Sequence, residues 1–343
     1  MISPLVLARF RWASVTSLSP GASQPQGPPA QKERSSVTQH TDAIPGPDSH
    51  DSTAPTTVTF VGAGAIGLPM ACRLATAGFK VTAVDPSPHT RARAREAGLL
   101  TAADLQDVPL LGDIVVVMVA TGDQVLDAVG AATARGPLTG QTWVIGSTVG
   151  PKVAEVAAGR LAAVGAQVVD APVLGGVPGA EEGALRILAA GNPSALDRVR
   201  DLFQPLGQVA EVGDQPGQGQ AVKVVNQLCS SVHLAAAAEA LSLAARLGLD
   251  PARVVPVISG SSGSSWFLED RGSRMAAPPA PDEVLTRLAI LAKDNALVVH
   301  EADQVGAHTP LARAAAGQYR QAAEQGLLEL DDSQIIRTYL PGR

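Results

Sequence analysis

The chain has 343 residues, 45% hydrophobic and 17% charged, a balance typical of a globular protein with a sizeable core. A net charge of -6 and the lack of a Lys/Arg-rich run argue against nucleic acid or an anionic membrane as partner. No uncharged apolar run reaches the ~18 residues of a membrane span, so we expect a soluble protein. Its two cysteines and six histidines lack the spacing of a disulfide framework or zinc site, so we expect no metal.

The N-terminal segment, residues 1–54, differs in composition from the rest of the chain. It is rich in Pro, Ser, Gln, Gly and Thr and has no apolar periodicity, so we predict a disordered extension. Arg9 and Arg11, with no acid before Glu33, resemble a mitochondrial presequence. The heavy Ala/Gly/Pro usage favours instead a non-structural extension on a bacterial chain. We therefore expect a cytoplasmic protein and leave the presequence open as an alternative.

Residues 55–214 are predicted to alternate between strands and helices. Apolar runs indicate buried strands at 58–61, 80–85, 114–119, 143–145, 167–173, 186–190 and 209–212. Helical patterns lie at 67–77, 91–97, 124–134 and 193–203. Strands that alternate with helices imply a parallel sheet with right-handed crossovers. We predict an α/β Rossmann domain, a doubly wound parallel sheet.

Residues 215–335 are predicted to form a second, all-helical domain. The helix at 220–247 has no proline and is apolar nearly all round. Such a helix must be covered on most sides, so we expect it to pack between the domains or against a second subunit, giving a homodimer. Further helical patterns lie at 251–258, 264–275, 282–304 and 310–324, with a Pro-rich loop at 278–281.

The segment GAGAIG at 62–67 follows the first strand and opens the first helix. Glycines in this spacing let the backbone approach a pyrophosphate at the helix N-terminus. Asp85, at the end of the next strand, can accept both ribose hydroxyls of NAD and would repel the extra phosphate of NADP. Arg91 and Arg93 could reach that phosphate, so NADP stays possible. The predicted set is Gly62, Gly64, Ala65, Ile66, Gly67 and Asp85.

A second motif, DAPVLGG at 170–176, runs from a strand into a glycine-rich loop. Ligands bind at the carboxyl ends of parallel strands, where this loop should lie. Backbone N–H groups at Gly175 and Gly176 could hold a substrate carboxylate beside Leu174. Most loops of this kind only join elements, so the motif by itself is weak.

A third motif, GQGQAVKVVNQ at 217–227, starts the long helix. Lys223, Asn226 and Gln227 lie within about one turn, so the lysine and an amide can face one point. A lone lysine on a helix is usually solvated, but here the helix is otherwise apolar. A desolvated ammonium has a lowered pKa and can exchange a proton near neutral pH.

Together these motifs resemble the β-hydroxyacid dehydrogenase family, over residues 56 to about 335. The matching signatures, in order, are GAGAIG with Pro69 and Met70, Ser147-Thr148-Val149 with Pro151, DAPVLGG, G-x-G-x-x-x-K at 217–223, and Lys293-Asp294. The resemblance implies that Lys223 is the catalytic acid/base and that Thr148 and Lys293 line the cofactor. It also implies that the glycine loop grips the carboxylate of a small-molecule substrate.

Three positions depart from the family pattern. Leu174 stands where the family has serine, Gln227 where it has asparagine, and Ile66 where it has methionine. Leu174 removes a hydroxyl donor to the substrate's acid group, while Gln227 keeps an amide on a longer arm. The substrate is therefore expected to be larger or less polar than the family norm.

The sequence predicts an oxidoreductase that moves a hydride between NAD(P) and a small 3-hydroxy acid or its semialdehyde. An imine reductase is the nearest alternative, because Leu174 suits an apolar substrate, although such enzymes usually carry another residue in place of Lys223. A cofactor-binding scaffold without turnover is the second alternative, and retention of Lys223 argues against it.

Overall fold

The computed structural model describes residues 55–277 and 284–340, which belong to one compact unit. The predicted extension at 1–54 and the predicted Pro-rich loop at 278–281 lie outside these residues. The strands are β1 (Thr57–Val61), β2 (Lys80–Val84), β3 (Leu100–Ala102), β4 (Ile114–Val117), β5 (Thr142–Ile145), β6 (Gln167–Asp170), β7 (Val173–Leu174), β8 (Leu185–Ala190) and β9 (Gly207–Gly213).

Helices lie between these strands and after the last of them. They are α1 (Gly67–Thr76), α2 (Pro88–Glu96), α3 (Gly122–Thr133), α4 (Pro151–Ala162), α5 (Gly176–Glu182), α6 (Pro193–Arg198), α7 (Arg200–Phe203), α8 (Gln218–Arg246), α9 (Pro251–Ile258), α10 (Trp266–Ala276), α11 (Leu288–Gln304) and α12 (Pro310–Glu324). A 3-10 helix, Asp332–Thr338, is the last element of the described residues. The predicted fold class is confirmed: a Rossmann-like sheet domain precedes a helical one.

The strands form one sheet in the order β3-β2-β1-β4-β5-β6-β8-β7, with β9 beside β8. From β3 to β6 all neighbours are parallel, as predicted. The sheet departs from the predicted parallel arrangement only at the other edge, where β8 runs antiparallel to β6 and β7. There the short helix α5 reverses the chain, and an antiparallel neighbour needs no long crossover.

Each central strand is apolar on both sides because helices cover both faces of the sheet. Phe60 and Val116 point into one core with Leu74 of α1, while Val61 and Val115 point into the other. Alternate residues of a strand face opposite sides, so a continuous Val/Ile run is what a doubly covered sheet requires. Packing on both faces holds the sheet rigid, and a ligand can reach this domain at the loops that follow the carboxyl ends of the strands.

Helix α8 connects the sheet to the helical half and contacts β8, β9, α10, α11 and α12. By length and composition alone α8 could cross a membrane. This is weak evidence for a membrane span, because the buried core helix of a soluble protein has the same length and composition. Leu234 and Leu241 on its inner face belong to the core of the helical domain. Gly219 in its first turn packs so closely on β8 that a Cβ there would lie 2.5 Å from the Leu188 oxygen.

Several predicted helix bounds are wrong for identifiable reasons. Helix α11 begins at Leu288 rather than near 282, because the N–H groups of Leu285 and Thr286 donate to the Asp331 carboxylate and the Arg287 backbone is extended (φ -67, ψ 135). The predicted helix at 193–203 is divided at Val199, where the backbone leaves helical geometry (φ -108, ψ 5). The α4 helix at 151–162, which starts at Pro151, was not predicted.

Candidate active site

The GAGAIG turn joins β1 to α1 and uses its glycines in two ways. A Cβ at Gly62 would lie 2.3 Å from the Met118 oxygen, and one at Gly67 would lie 2.0 Å from the Gly62 oxygen. Gly62 therefore lets the turn pack against the chain that follows β4, and Gly67 lets the turn close on itself. A Cβ at Gly64 would meet no described atom within 4 Å, so this residue faces open space. Ala65 is exposed beside it, whereas Ile66 packs against the core.

The turn has the features of a phosphate site. In the described part of the chain no side chain caps the N-terminus of α1 and its first turn holds no acidic residue. The helix dipole and free N–H groups there favour an anion. The residues present therefore fit the pyrophosphate of a dinucleotide cofactor, which would approach over Gly64.

Asp85 follows β2 and is oriented by the backbone around it. One carboxylate oxygen accepts the Ala63 N–H at 3.0 Å and the other accepts the Ser87 N–H at 2.9 Å. The Arg91 guanidinium donates to the carbonyls of Asp85 and Pro86, both at 2.7 Å. The carboxylate is thus fixed across the end of β2, where a cofactor's ribose would lie, while Arg91 is held behind it by backbone acceptors.

The segment after β5 brings Thr148 and Lys293 together, as the family resemblance implies. The Ser147 hydroxyl accepts the Val119 N–H at 2.7 Å and ties the ends of β4 and β5. Lys293 on α11 donates from Nζ to the Thr148 carbonyl oxygen at 3.4 Å. This contact joins the helical domain to the sheet at the edge where the GAGAIG turn lies.

The substrate loop predicted at 174–176 runs from the last residue of β7 to the first residue of α5. Gly175 and Gly176 are exposed and have φ of +119° and +62°, a left-handed backbone that favours glycine. Leu174 is half-buried and pairs with Arg186 of β8. The loop therefore presents backbone rather than side-chain donors to the open edge of the sheet.

Lys223 is buried in the first turns of α8 and points back to the sheet. Only 8% of the residue is exposed, and Nζ donates to the Val173 carbonyl oxygen at 2.9 Å. Burial lowers the pKa of Lys223 to about 8, while the charge of Asp294 acts to raise it and that of Lys293 to lower it. A lysine with this pKa is about one tenth neutral at pH 7, against about one part in 3,000 for a solvated lysine.

The two amides predicted to orient substrate form a chain with a carboxylate on α11. Asn226 donates to the Gln227 side-chain oxygen at 2.8 Å, and Gln227 Nε2 donates to Asp294. The other oxygen of Asp294 lies 2.9 Å from Lys293 Nζ, but the two groups are not aligned for a hydrogen bond. We take this as a charge contact. The structure thus brings Lys223, Gln227 and the Lys293-Asp294 pair into one cluster.

Sequence reasoning missed Asp170 and Gln220, which join the two domains beneath this cluster. The fully buried Asp170 carboxylate accepts the N–H groups of Gly217 and Gln220 and the Gln220 side-chain amide, each at 2.9 Å. Gln220 also binds the backbone of Ser147, Val149 and Gly150. Burial raises the pKa of Asp170, although these hydrogen bonds act to lower it. The signal available in the sequence was an acid at the end of an apolar strand.

Comparison with known proteins agrees with this arrangement. Residues 57–215 match the model described as NAD binding domain of 6-phosphogluconate dehydrogenase, and 217–339 match NAD-binding of NADP-dependent 3-hydroxyisobutyrate dehydrogenase. L-threonate dehydrogenase of Cupriavidus necator is 34% identical over 295 residues, covering 83% of this chain and 98% of that protein.

Solved structures give the same result. The 3-hydroxyisobutyrate dehydrogenase of Salmonella typhimurium superposes with a TM-score of 0.75 at 29% identity, covering 82% of this chain and 99% of that one. Psf3, solved with NADP+ and 2-OPP, gives a TM-score of 0.72 at 25% identity, covering 81% and 98%.

A Rossmann domain with an uncapped phosphate turn, followed by a helical domain that carries a buried lysine, defines an NAD(P)-dependent oxidoreductase. The chain belongs to the β-hydroxyacid dehydrogenase family, and it is a hydroxyacid dehydrogenase of the NAD(P)-dependent class. The family resemblance stated from its motifs is confirmed.

Proposed function

We propose that the protein oxidises a small 3-hydroxy acid, or reduces the matching semialdehyde, with Lys223 as the general acid/base. The observation that carries this proposal is the Lys223 amine, buried near the start of α8 and hydrogen-bonded to Val173 beside the substrate loop. An amine with a pKa of about 8 can both accept and return a proton near neutral pH.

The chain's own residues divide the work of the reaction. The bound nicotinamide would supply the hydride acceptor or donor. In oxidation, neutral Lys223 takes the hydroxyl proton onto Nζ, and in reduction its ammonium returns it to the forming alkoxide. The Gln227 amide, fixed by Asn226, orients the hydroxyl. Backbone N–H groups at 174–176 hold the carboxylate, and this restraint places the carbinol carbon beside the lysine.

We infer that NAD is preferred over NADP. The Asp85 carboxylate is held at the ribose position by two backbone N–H groups, so it cannot turn away without losing them. A 2′-phosphate there would face a fixed negative charge. The Arg91 guanidinium donates to two backbone carbonyls. While it makes these hydrogen bonds it is not available to bind a 2′-phosphate, which is consistent with a preference for NAD. Psf3, at 25% identity, was solved with NADP+, whereas the residues at the ribose position of this chain favour NAD.

We further propose a homodimer built on α8. One face of the helix stays exposed along its length although it is composed mainly of small and apolar residues. Its exposed small and apolar residues include Val222, Val225, Cys229, Ala236, Ala240, Leu243 and Leu247, and His233 and Glu239 are exposed among them. Val225 and Leu243, 67% and 58% exposed, are 18 residues apart, which is about five helical turns and therefore the same side. A second copy covering this face would remove the apolar surface from water.

The test is a substrate screen in which turnover is measured as the change in NADH absorbance. The screen includes L-threonate and 3-hydroxyisobutyrate, suggested by the names of the relatives, and semialdehydes and cyclic imines. Oxidation of a hydroxy acid, lost in Lys223→Ala, is the expected result. Turnover of cyclic imines alone would favour imine reduction. NADH binding without any turnover would favour a scaffold.

A further inference from the structure

One buried ionisable group near Lys223 has no part in the mechanism above. Asp294 on α11 is 5% exposed, yet it lies at the junction of the two domains rather than in either core. A carboxylate is costly to bury unless hydrogen bonds or charges compensate it. Its location beside the lysine therefore calls for a role at the site.

The Asp294 carboxylate accepts its side-chain hydrogen bond from Gln227, the residue that stands where the family has asparagine. The longer arm of Gln227 lets Nε2 donate to one Asp294 oxygen, while Asn226 donates to the Gln227 oxygen at 2.8 Å. The amide is thereby held at both ends. Gln227 is four residues after Lys223, so both side chains project from the same side of α8.

The charges around Lys223 come chiefly from α11. Among the described residues, Asp294 and Lys293 are the groups whose charge shifts the lysine, in opposite directions. From the sheet, Asp170 is turned to the first turn of α8 and its oxygens accept hydrogen bonds there. From α4, Glu155 lies beside Gly217, one turn and a half before Lys223. Asp294 is thus the negative charge that partly offsets the burial of the amine.

We propose that Asp294 is a positioning residue of this active site, which fixes the Gln227 amide and supplies the negative charge that the buried Lys223 amine faces. It acts through these two side chains, without contact to the substrate. The inference rests on the proposed function, because the value of a tuned lysine and a fixed amide lies in proton transfer.

The charge role is tested by measuring the pKa of Lys223 directly. The full chain is labelled with trace acetic anhydride across a pH series, and mass spectrometry reports the modification of each lysine. Asp294→Asn keeps an acceptor for Gln227 but removes the charge, so the pKa of Lys223 should fall by about 1. Lys293→Gln should raise it by less, because the Lys293 side chain is 41% exposed and screened.

The matched control is Asp303→Asn, the same substitution on the same helix. Asp303 is exposed and pairs with Arg313, so this variant should leave the pKa of Lys223 unchanged. An unchanged pKa in Asp294→Asn, or shifts of the same sign in Asp294→Asn and Lys293→Gln, would overturn the charge role. Labelling needs no turnover, so it reports on Asp294 even if the proposed hydroxy-acid activity is absent.

The amide role is tested by comparing two substitutions at position 294 in steady-state kinetics. Asp294→Ala removes both the charge and the acceptor for Gln227, whereas Asp294→Asn removes only the charge. At the pH optimum of each variant, kcat should be lower for Asp294→Ala by about threefold or more, a loss of the size expected from one misplaced hydrogen bond. Equal kcat values would show that Asp294 does not position Gln227.

Discussion

Replacing Lys223 by methionine should destroy activity and at the same time stabilise the fold at neutral pH. Methionine keeps most of the buried volume without the charge. General acid/base groups accelerate their reactions by roughly 10² to 10⁴-fold. The loss of Lys223 should therefore raise the activation barrier by about 3 to 5 kcal/mol and lower kcat by the same factor. Lys223→Ala should lose as much, and Lys223→Arg should do little better, because a guanidinium stays protonated and cannot accept the hydroxyl proton.

The gain in stability follows from the lowered pKa of the lysine. The value falls from 10.5 to about 8, a difference of 2.5, which corresponds to about 3 kcal/mol for holding the charged amine in the fold. Because the native pKa is below the unfolded one, unfolding takes up a proton between about pH 8 and 10.5. The cost is complete below pH 8 and is relieved as the pH rises through that window.

Methionine also leaves the Val173 carbonyl without the Nζ donor, at a cost of about 1 to 2 kcal/mol. This second effect does not depend on pH. Urea denaturation of both proteins at pH 7 and pH 10 separates the two effects. The variant's relative stability should be about 2 to 3 kcal/mol greater at pH 7 than at pH 10. A difference that stays constant with pH would show that Lys223 titrates like a solvated lysine, and the mechanism would lose its physical basis.

Three other outcomes are expected. Asp85→Asn should raise the affinity for NADP relative to NAD by about tenfold in binding titrations, since a fixed like charge is removed; an unchanged ratio would remove Asp85 from cofactor choice. Light scattering at micromolar concentration should give a dimer mass, and Leu243→Glu should shift it toward monomer; a monomeric wild type contradicts the α8 proposal. Leu174→Ser should lower KM for small polar hydroxy acids, whereas an unchanged KM would place Leu174 away from the substrate.

Local sequence was sufficient to predict the fold class and to single out the candidate site residues. The period of the apolar residues separates buried strands from helices, and this period depends only on neighbours in the chain. The GAGAIG turn and Asp85 stand within one β-α-β unit, so their relation is set by a short connection. The lysine at 223 was conspicuous because no other Lys, Arg, Asp or Glu occurs in the helix before Glu239.

Tertiary structure decided the contacts between residues far apart in the chain. Gln227 and Asp294 are 67 residues apart, and Asp170 and Gln220 are 50 apart, so no local pattern joins them. The start of α11 depends on hydrogen bonds to Asp331, about 45 residues further on. These polar groups are buried or partly buried and must find partners, but which partner each finds is decided only when the helices pack against one another and against the sheet.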